Sequence, residues 1–366
     1  MKKLIKGIFW IFVGLLLVVS GLAIFIWIKS PGKTDPFTGT DGKPIEGSIA
    51  AIEKISLGGF DQYLIIRGAD TSKPVMLFLH GGPGSPEYAF MKAYNPFLEN
   101  DFVMVYWEQR GAGKSWSKNI PPESMTLKQM ISDTRELSKY LAARFGKEKI
   151  YLMGHSWGSF LGILTAWQQP ELFHAYFGIG QVCDQYRGEL VSYEWVKEQA
   201  LKNNDRKAIK TLEGLSFPDS QTGSDAWKAF LMPERKYVMR YGGGVTREMR
   251  GMGPLVKMLL TTKEYTFSDK MNFMKGSMFS LEHLWLDVVN TNLFNTIDSM
   301  QVPVYIFQGV YDYQTPYIVA RDFYEQLKAP HKKFFTFENS AHSPVLEEVE
   351  RFNGLIKRIV NEQLVQ

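Results

Sequence analysis

The chain has 366 residues, 45% of them hydrophobic and 14% aromatic, enough apolar material for one large core and a smaller accessory unit. Its net charge of +4 does not call for a nucleic-acid partner: five lysines and no acid fall within residues 1–33, and without them the basic and acidic residues nearly balance. A single cysteine, Cys183, excludes an intramolecular disulfide and reads as a small packing residue; with no metal-type spacing of Cys and His, no cofactor is expected.

At the N-terminus, Met1 to Lys6 carries three lysines and precedes an uncharged apolar run from Gly7 to Ile28. At 1.5 Å per residue that run covers roughly 33 Å, the thickness of a hydrocarbon core. The lysines favour a cytoplasmic N-terminus, which places the rest of the chain outside the cell membrane, with lipid as the partner of this segment. The competing reading is a signal peptide cleaved near Gly21-Leu22-Ala23, giving a secreted protein; the length of the run argues for an uncleaved anchor.

Residues 29–50 read as a linker, and from 51 to 182 strands and helices alternate in the manner of a mostly parallel, doubly wound α/β sheet. The apolar run from Val75 to Leu79 breaks into His80-Gly81-Gly82-Pro83-Gly84, a loop whose backbone N–H groups can approach a substrate oxygen closely. Next comes Glu108-Gln109-Arg110-Gly111, where Glu108 and Arg110 read as structural pairing beside the site. The run Tyr151 to His155 then feeds Gly154-His155-Ser156-Trp157-Gly158. Gly-x-Ser-x-Gly after a strand presents a serine on a strained strand-to-helix turn, so Ser156 is the candidate nucleophile. The oxyanion donors expected around it are the N–H groups of Trp157 and Gly82, with Gly81 as the alternative. His155 reads as packing beside the nucleophile.

From 183 to 297 the texture changes to charged, Met-rich and aromatic-rich helical sequence, which reads as an inserted cap over the site. Met239, Met249, Met252, Met258, Tyr237, Tyr241 and Phe267 there supply either ordinary cap packing or an apolar pocket wall. Residues 298–366 return to the core. The run Val302 to Gln308 ends at Asp312, the candidate acid, with Asp322 as a weaker rival. The polar loop Glu338 to Pro344 holds His342, the candidate base, ahead of an amphipathic helix over 345–356. The order Ser, Asp, His is the one this architecture uses for acyl transfer. His174, His283 and His331 have no such context and read as ordinary histidines.

Taken together, His80-Gly81-Gly82-Pro83-Gly84, Glu108-Gln109-Arg110-Gly111-Ala112-Gly113-Lys114-Ser115 and Gly154-His155-Ser156-Trp157-Gly158 resemble the proline iminopeptidase family of α/β-hydrolases, as does the hairpin-like segment Leu57 to Gly68. Where that family usually has Asp-Gln-Arg-Gly, this chain has glutamate at 108. The resemblance implies release of an N-terminal residue, often proline, from short peptides, with acidic cap side chains holding the free amine. Among the cap glutamates at 189, 194, 213, 234, 248, 264 and 282, Glu194 and Glu282 stand beside aromatics and are the expected substrate-binding residues. A carboxylesterase or lactonase would use the same machinery on a small ester, and a membrane-tethered binding module without turnover is the reading from another class. The sequence leaves the oligomeric state open.

Overall fold

A computed structural model describes residues 2–364. Eight strands form a single sheet: β1 (Ile49–Leu57), β2 (Phe60–Gly68), β3 (Val75–Leu79), β4 (Val103–Glu108), β5 (Ile150–His155), β6 (Phe173–Ile179), β7 (Val304–Gly309) and β8 (Lys332–Phe337). Their spatial order is β1-β2-β4-β3-β5-β6-β7-β8. The hairpin β1–β2 and the pair β2–β4 are antiparallel, and every other pairing is parallel. Gly58 and Gly59, both at positive φ, make the two-residue turn that pairs Leu57 with Phe60.

The parallel strands are apolar on both faces because helices cover both. Val75, Leu77 and Leu79 of β3 pack in one core with α3 (Leu127–Arg144) and α4 (Trp157–Gln168), while Met76 and Phe78 pack on the opposite face with α2 (Tyr88–Tyr94) and α13 (Val349–Leu364). This two-residue alternation is the pleat of the strand expressed in burial.

Strand order reverses at β3, which lies between β4 and β5. The loops leaving the carboxyl ends of β3 and β5 therefore flank the crevice where an open α/β sheet binds its ligands. These are the glycine loop at 80–84 and the serine turn at 156.

Between β6 and β7 the chain runs through α5 (Gln185–Lys202), α6 (Arg206–Glu213), α7 (Ser224–Arg240), α8 (Gly253–Thr261), α9 (Phe267–Asn290) and α10 (Leu293–Thr296). This cap has its own core, in which Trp227 meets Tyr186, Phe217 and Phe230 edge to face around the buried Tyr193, Val196 and Tyr237. The core resumes with α11 (Tyr317–Gln326) after β7 and α12 (Pro344–Glu347) after β8.

Two expectations change in detail. The N-terminal helix α1 spans Lys2–Ile28, five residues earlier than the apolar run, because lysine is a good helix former and its charge carries no cost outside an apolar layer. The helix expected over 345–356 is broken between α12 and α13. Around the break Glu347 and Glu348 turn their carboxylates back to the preceding loop, accepting from the Ala341 amide at 2.8 Å and the Ser340 hydroxyl at 2.8 Å. Among the described residues, α1 is the one helix long and apolar enough to cross a membrane.

Candidate active site

Ser156 sits between β5 and α4 with φ 55 and ψ −122, a conformation L-residues avoid. The turn closes only because its neighbours are glycines. A Cβ on Gly154 would lie 2.1 Å from the Gly158 carbonyl oxygen, and one on Gly158 would lie 2.0 Å from that of Leu79. The turn is fastened to β6 by the Ser156 amide, which donates to Ile179 at 2.9 Å.

Asp312 follows β7 and is buried. Its carboxylate accepts from Gln308 Nε2 at 2.8 Å, Thr315 Oγ1 at 2.7 Å and the amides of Gln314 and Thr315 at 2.9 Å each. His342 Nδ1 lies 2.9 Å from Asp312 Oδ2. With that nitrogen donating to a carboxylate, Nε2 is left as the free acceptor of the ring. Gly180 makes room for the imidazole: at φ +54, its absent Cβ would stand 2.8 Å from His342 Cε1 and Nδ1. No hydrogen bond joins Ser156 Oγ to His342 among the described residues, but Ser156 and Thr315, which binds the Asp312 carboxylate, line one cavity of about 150 Å³. Asp322 is elsewhere, paired with Arg187 on the surface.

The glycine loop divides its donors. The Gly81 amide donates to Glu87 Oε1 at 3.0 Å and is thereby occupied. Gly82, at φ +117, lines the cavity with Ser156 and Trp157, and a Cβ there would collide with the Gly84 amide at 2.5 Å. Behind the loop, burial holds the His80 pKa down at about 4, so its ring is neutral. Its Nδ1 donates to the Gly81 carbonyl at 2.8 Å and its Nε2 accepts from the Gln109 amide at 3.2 Å. Gln109 in turn accepts from the Trp157 indole at 2.8 Å, tying the glycine loop to the start of α4.

His155 is more than packing. Its Nδ1 meets Glu87 Oε1 at 2.8 Å and its Nε2 meets the His342 carbonyl oxygen at 3.1 Å. Both partners accept, which favours a ring donating from both nitrogens, although Ser343 Oγ also stands 3.3 Å from Nε2. Burial opposes the charge of such an imidazolium, but the charge and hydrogen bond of Glu87 outweigh it and raise the pKa above its ordinary value. Glu87 carried no sequence signal, since it lies in an unpatterned turn ahead of α2.

Glu108 and Arg110 are structural but not paired with each other. Arg110 donates to both Asp133 oxygens, at 2.8 and 3.1 Å, and to the Leu57 carbonyl at 3.0 Å, pinning the hairpin to α3. Glu108 points the other way along the chain, accepting from Tyr265 at 2.6 Å and the Lys114 amide at 3.1 Å, with its pKa raised to about 7 by burial. Arg110 lies beyond the end of β4, in the turn that follows Gln109, so the two side chains do not share the strand's face and never meet.

The cap residues singled out by sequence do not reach the cavity. Glu194 and Glu282 are exposed and paired with Lys197 and Lys228, because each lies on the solvent side of its helix. The seven methionine, tyrosine and phenylalanine candidates are also absent from the lining, which takes its apolar wall from Val182, Leu231, Met232, Leu281, Trp285 and Val288. The buried cap acids beside it are Glu189 and Glu234. Arg235, on the lining, bonds to Glu189 and, at 2.8 Å, to Glu234. Gln185 donates to Glu189 at 2.6 Å and Ser192 to Glu234 at 2.7 Å. Burial raises the Glu234 pKa to about 7. Helical spacing is the one signal available for this cluster: Gln185, Glu189 and Ser192 recur on one face of α5.

A mostly parallel sheet with a strained serine turn at its switch point defines the class: residues 74–349 match the family described as alpha/beta hydrolase fold, and the chain belongs to it. It is 36% identical over 323 residues to the probable aminopeptidase YbaC of Bacillus subtilis, a match covering 88% of this chain and 99% of that protein. Proline iminopeptidase of Lactobacillus helveticus is 22% identical over 323 residues, covering 84% of this chain and 97% of its own. Among solved structures, proline iminopeptidase of Mycobacterium smegmatis shares the fold, with a TM-score of 0.62 at 15% identity over 86% of this chain and 98% of that one. These relationships make the chain a serine hydrolase related to the proline iminopeptidases.

Proposed function

We propose that this is a membrane-anchored aminopeptidase of the proline-iminopeptidase type that releases N-terminal residues from short peptides by a Ser156–His342–Asp312 triad. The observation that carries the reading is the 2.9 Å contact of His342 Nδ1 with a five-donor Asp312 carboxylate, beside a serine held at φ 55. In this mechanism Ser156 Oγ attacks the scissile carbonyl carbon and its proton passes to His342 Nε2. Asp312 holds the imidazole in that tautomer and stabilises the imidazolium. The N–H groups of Trp157 and Gly82 receive the oxyanion, Gly81 being engaged with Glu87. Collapse expels the leaving amine with the proton from His342, and water repeats the cycle on the acyl-enzyme.

Recognition of a free amine falls to Glu189 and Glu234 in place of Glu194 and Glu282. Their two carboxylates face one guanidinium, and Glu189 Oε2 is buried with no hydrogen-bond partner among the described residues, an acceptor that a substrate ammonium can satisfy. The name of the Bacillus subtilis relative supports the same activity. An ester substrate is the second reading, favoured by the apolar wall and by Arg235, which offsets acid charge at the cavity. The anchor is α1, with the hydrolase on the outer side of the membrane.

The test is hydrolysis of prolyl and alanyl p-nitroanilides against short-chain p-nitrophenyl esters, with Ser156→Ala as the blank. Ser156-dependent anilide cleavage that is lost on acetylating the substrate amine is the expected result. Equal cleavage of blocked and free substrates would sink the aminopeptidase reading, and ester-only cleavage would install the second one.

A further inference from the structure

The C-terminal end of α1 does not leave the protein as a free tether. Its last turn buries Ile26, and the chain after it is bonded into the cap. The amides of Gly32 and Lys33 donate to the Lys263 carbonyl at 2.9 and 3.3 Å, Pro31 forms a bridge with Thr266, and Lys270 Nζ donates to the Lys29 carbonyl at 3.2 Å. The contacted residues are the junction of α8 and α9. If α1 enters a bilayer, this junction is held at the bilayer surface.

The surface of that junction is apolar and cationic. Met252 and Val256 at α8, and Met271 and Met274 in the first turns of α9, are each roughly half exposed. From Met249 to Lys263 the chain carries Arg250, Lys257 and Lys263 and no acid; Lys263 is paired with Asp35, which leaves Arg250 and Lys257 as the cations of this stretch. The acids that follow are withdrawn from solvent-facing use: Glu264 is buried against Lys92 at 2.6 Å, and Asp269 is bonded to Lys114 at 2.5 Å. Exposed methionine and valine interleaved with lysine is the composition of a helix lying in the headgroup region of an anionic membrane. Along α9 the apolar side continues inward at helical spacing, from Met271 and Met274 through Met278 to Leu281 and Trp285, which line the cavity beside Ser156.

We infer that α8 and the first turns of α9 form a second membrane contact, docking the cap face onto the bilayer that α1 crosses, with anionic lipid as the occupant. This rests on the anchoring role proposed for α1. Single cysteines at Val256→Cys, Met274→Cys, Leu17→Cys and Lys328→Cys, introduced into full-length protein carrying Cys183→Ala, are labelled with nitrobenzoxadiazole. The proteins are then reconstituted in phosphatidylcholine–phosphatidylglycerol vesicles. The expected result is blue-shifted emission, lost on incorporating doxyl-lipid, at positions 17, 256 and 274. The label at 328, on the far edge of the sheet beyond β7, should be lost to aqueous iodide instead. A lipid-quenched label at 17 with iodide-quenched labels at both 256 and 274 would overturn the docking and leave the anchor intact. An iodide-quenched label at 17 would overturn the anchor and the docking with it.

Discussion

The imidazole rings of His155 and His342 lie 4.6 Å apart between centroids, and His155 Nε2 donates to the His342 carbonyl at 3.1 Å. The residue before the candidate nucleophile thus holds the backbone of the candidate base. Through Glu87 the same side chain also reaches the Gly81 amide of the glycine loop. One ion pair joins three strand-end loops.

That pair has a pH signature. The pKa of His155 is raised in the folded state, so its stabilising contribution is complete below the unfolded value of about 6.5 and fades as pH rises through the higher folded value. Glu87→Gln removes the carboxylate that raises it. Thermal melts of both proteins should differ most near pH 6, by roughly 2 to 4 kcal/mol, and converge toward pH 9. A gap that is constant with pH would show that His155 is not an imidazolium.

Ser156 separates activity from stability. Ser156→Ala should lower kcat by roughly 10⁴-fold or more while leaving the fold intact. Ser156→Gly should be equally inactive yet more stable by about 1 kcal/mol, since glycine accepts φ 55 without strain. Denaturant titration of the two variants against wild type reads the difference.

Gly180→Ala tests the seat of the imidazole. Its Cβ would stand 2.8 Å from two ring atoms of His342 at a backbone angle unfavourable to alanine. Displacement of the ring should cost kcat roughly 100-fold. Near-normal kcat in a folded variant would mean that His342 has slack its surroundings do not show.

Arg110→Lys probes the hairpin latch. Lysine cannot reproduce a guanidinium that bonds both oxygens of a fully buried Asp133 and the Leu57 carbonyl. The loss should be roughly 3 kcal/mol or more in urea unfolding, with kcat unaffected in the protein that remains folded.

Strand periodicity and glycines at strand ends are short-range patterns that carry the fold class, and each of Ser156, Asp312 and His342 is marked by the local pattern at its own strand end. The Gly-x-Ser-x-Gly turn is legible because its geometry is impossible with other residues at 154 and 158. The hairpin at Gly58-Gly59 is legible by resemblance and by its turn, whose two residues both take positive φ.

The rest depends on which surfaces meet. Glu87 is 68 residues from His155, and Arg235 is 46 from Glu189, so no local pattern announces either pair. Glu194 has aromatic neighbours in the chain, yet helical rotation turns it to solvent and turns Glu189, five residues earlier, inward. Backbone sterics and hydrophobic spacing act within a few residues, so the sheet, the strained serine turn and the apolar N-terminal helix are already written in the chain. Which charges gather beside the cavity, which glycine amide is engaged by Glu87 and where α1 meets the cap emerge when distant segments pack together. Burial and long-range pairing set those outcomes, and neither has a fixed spacing along a chain.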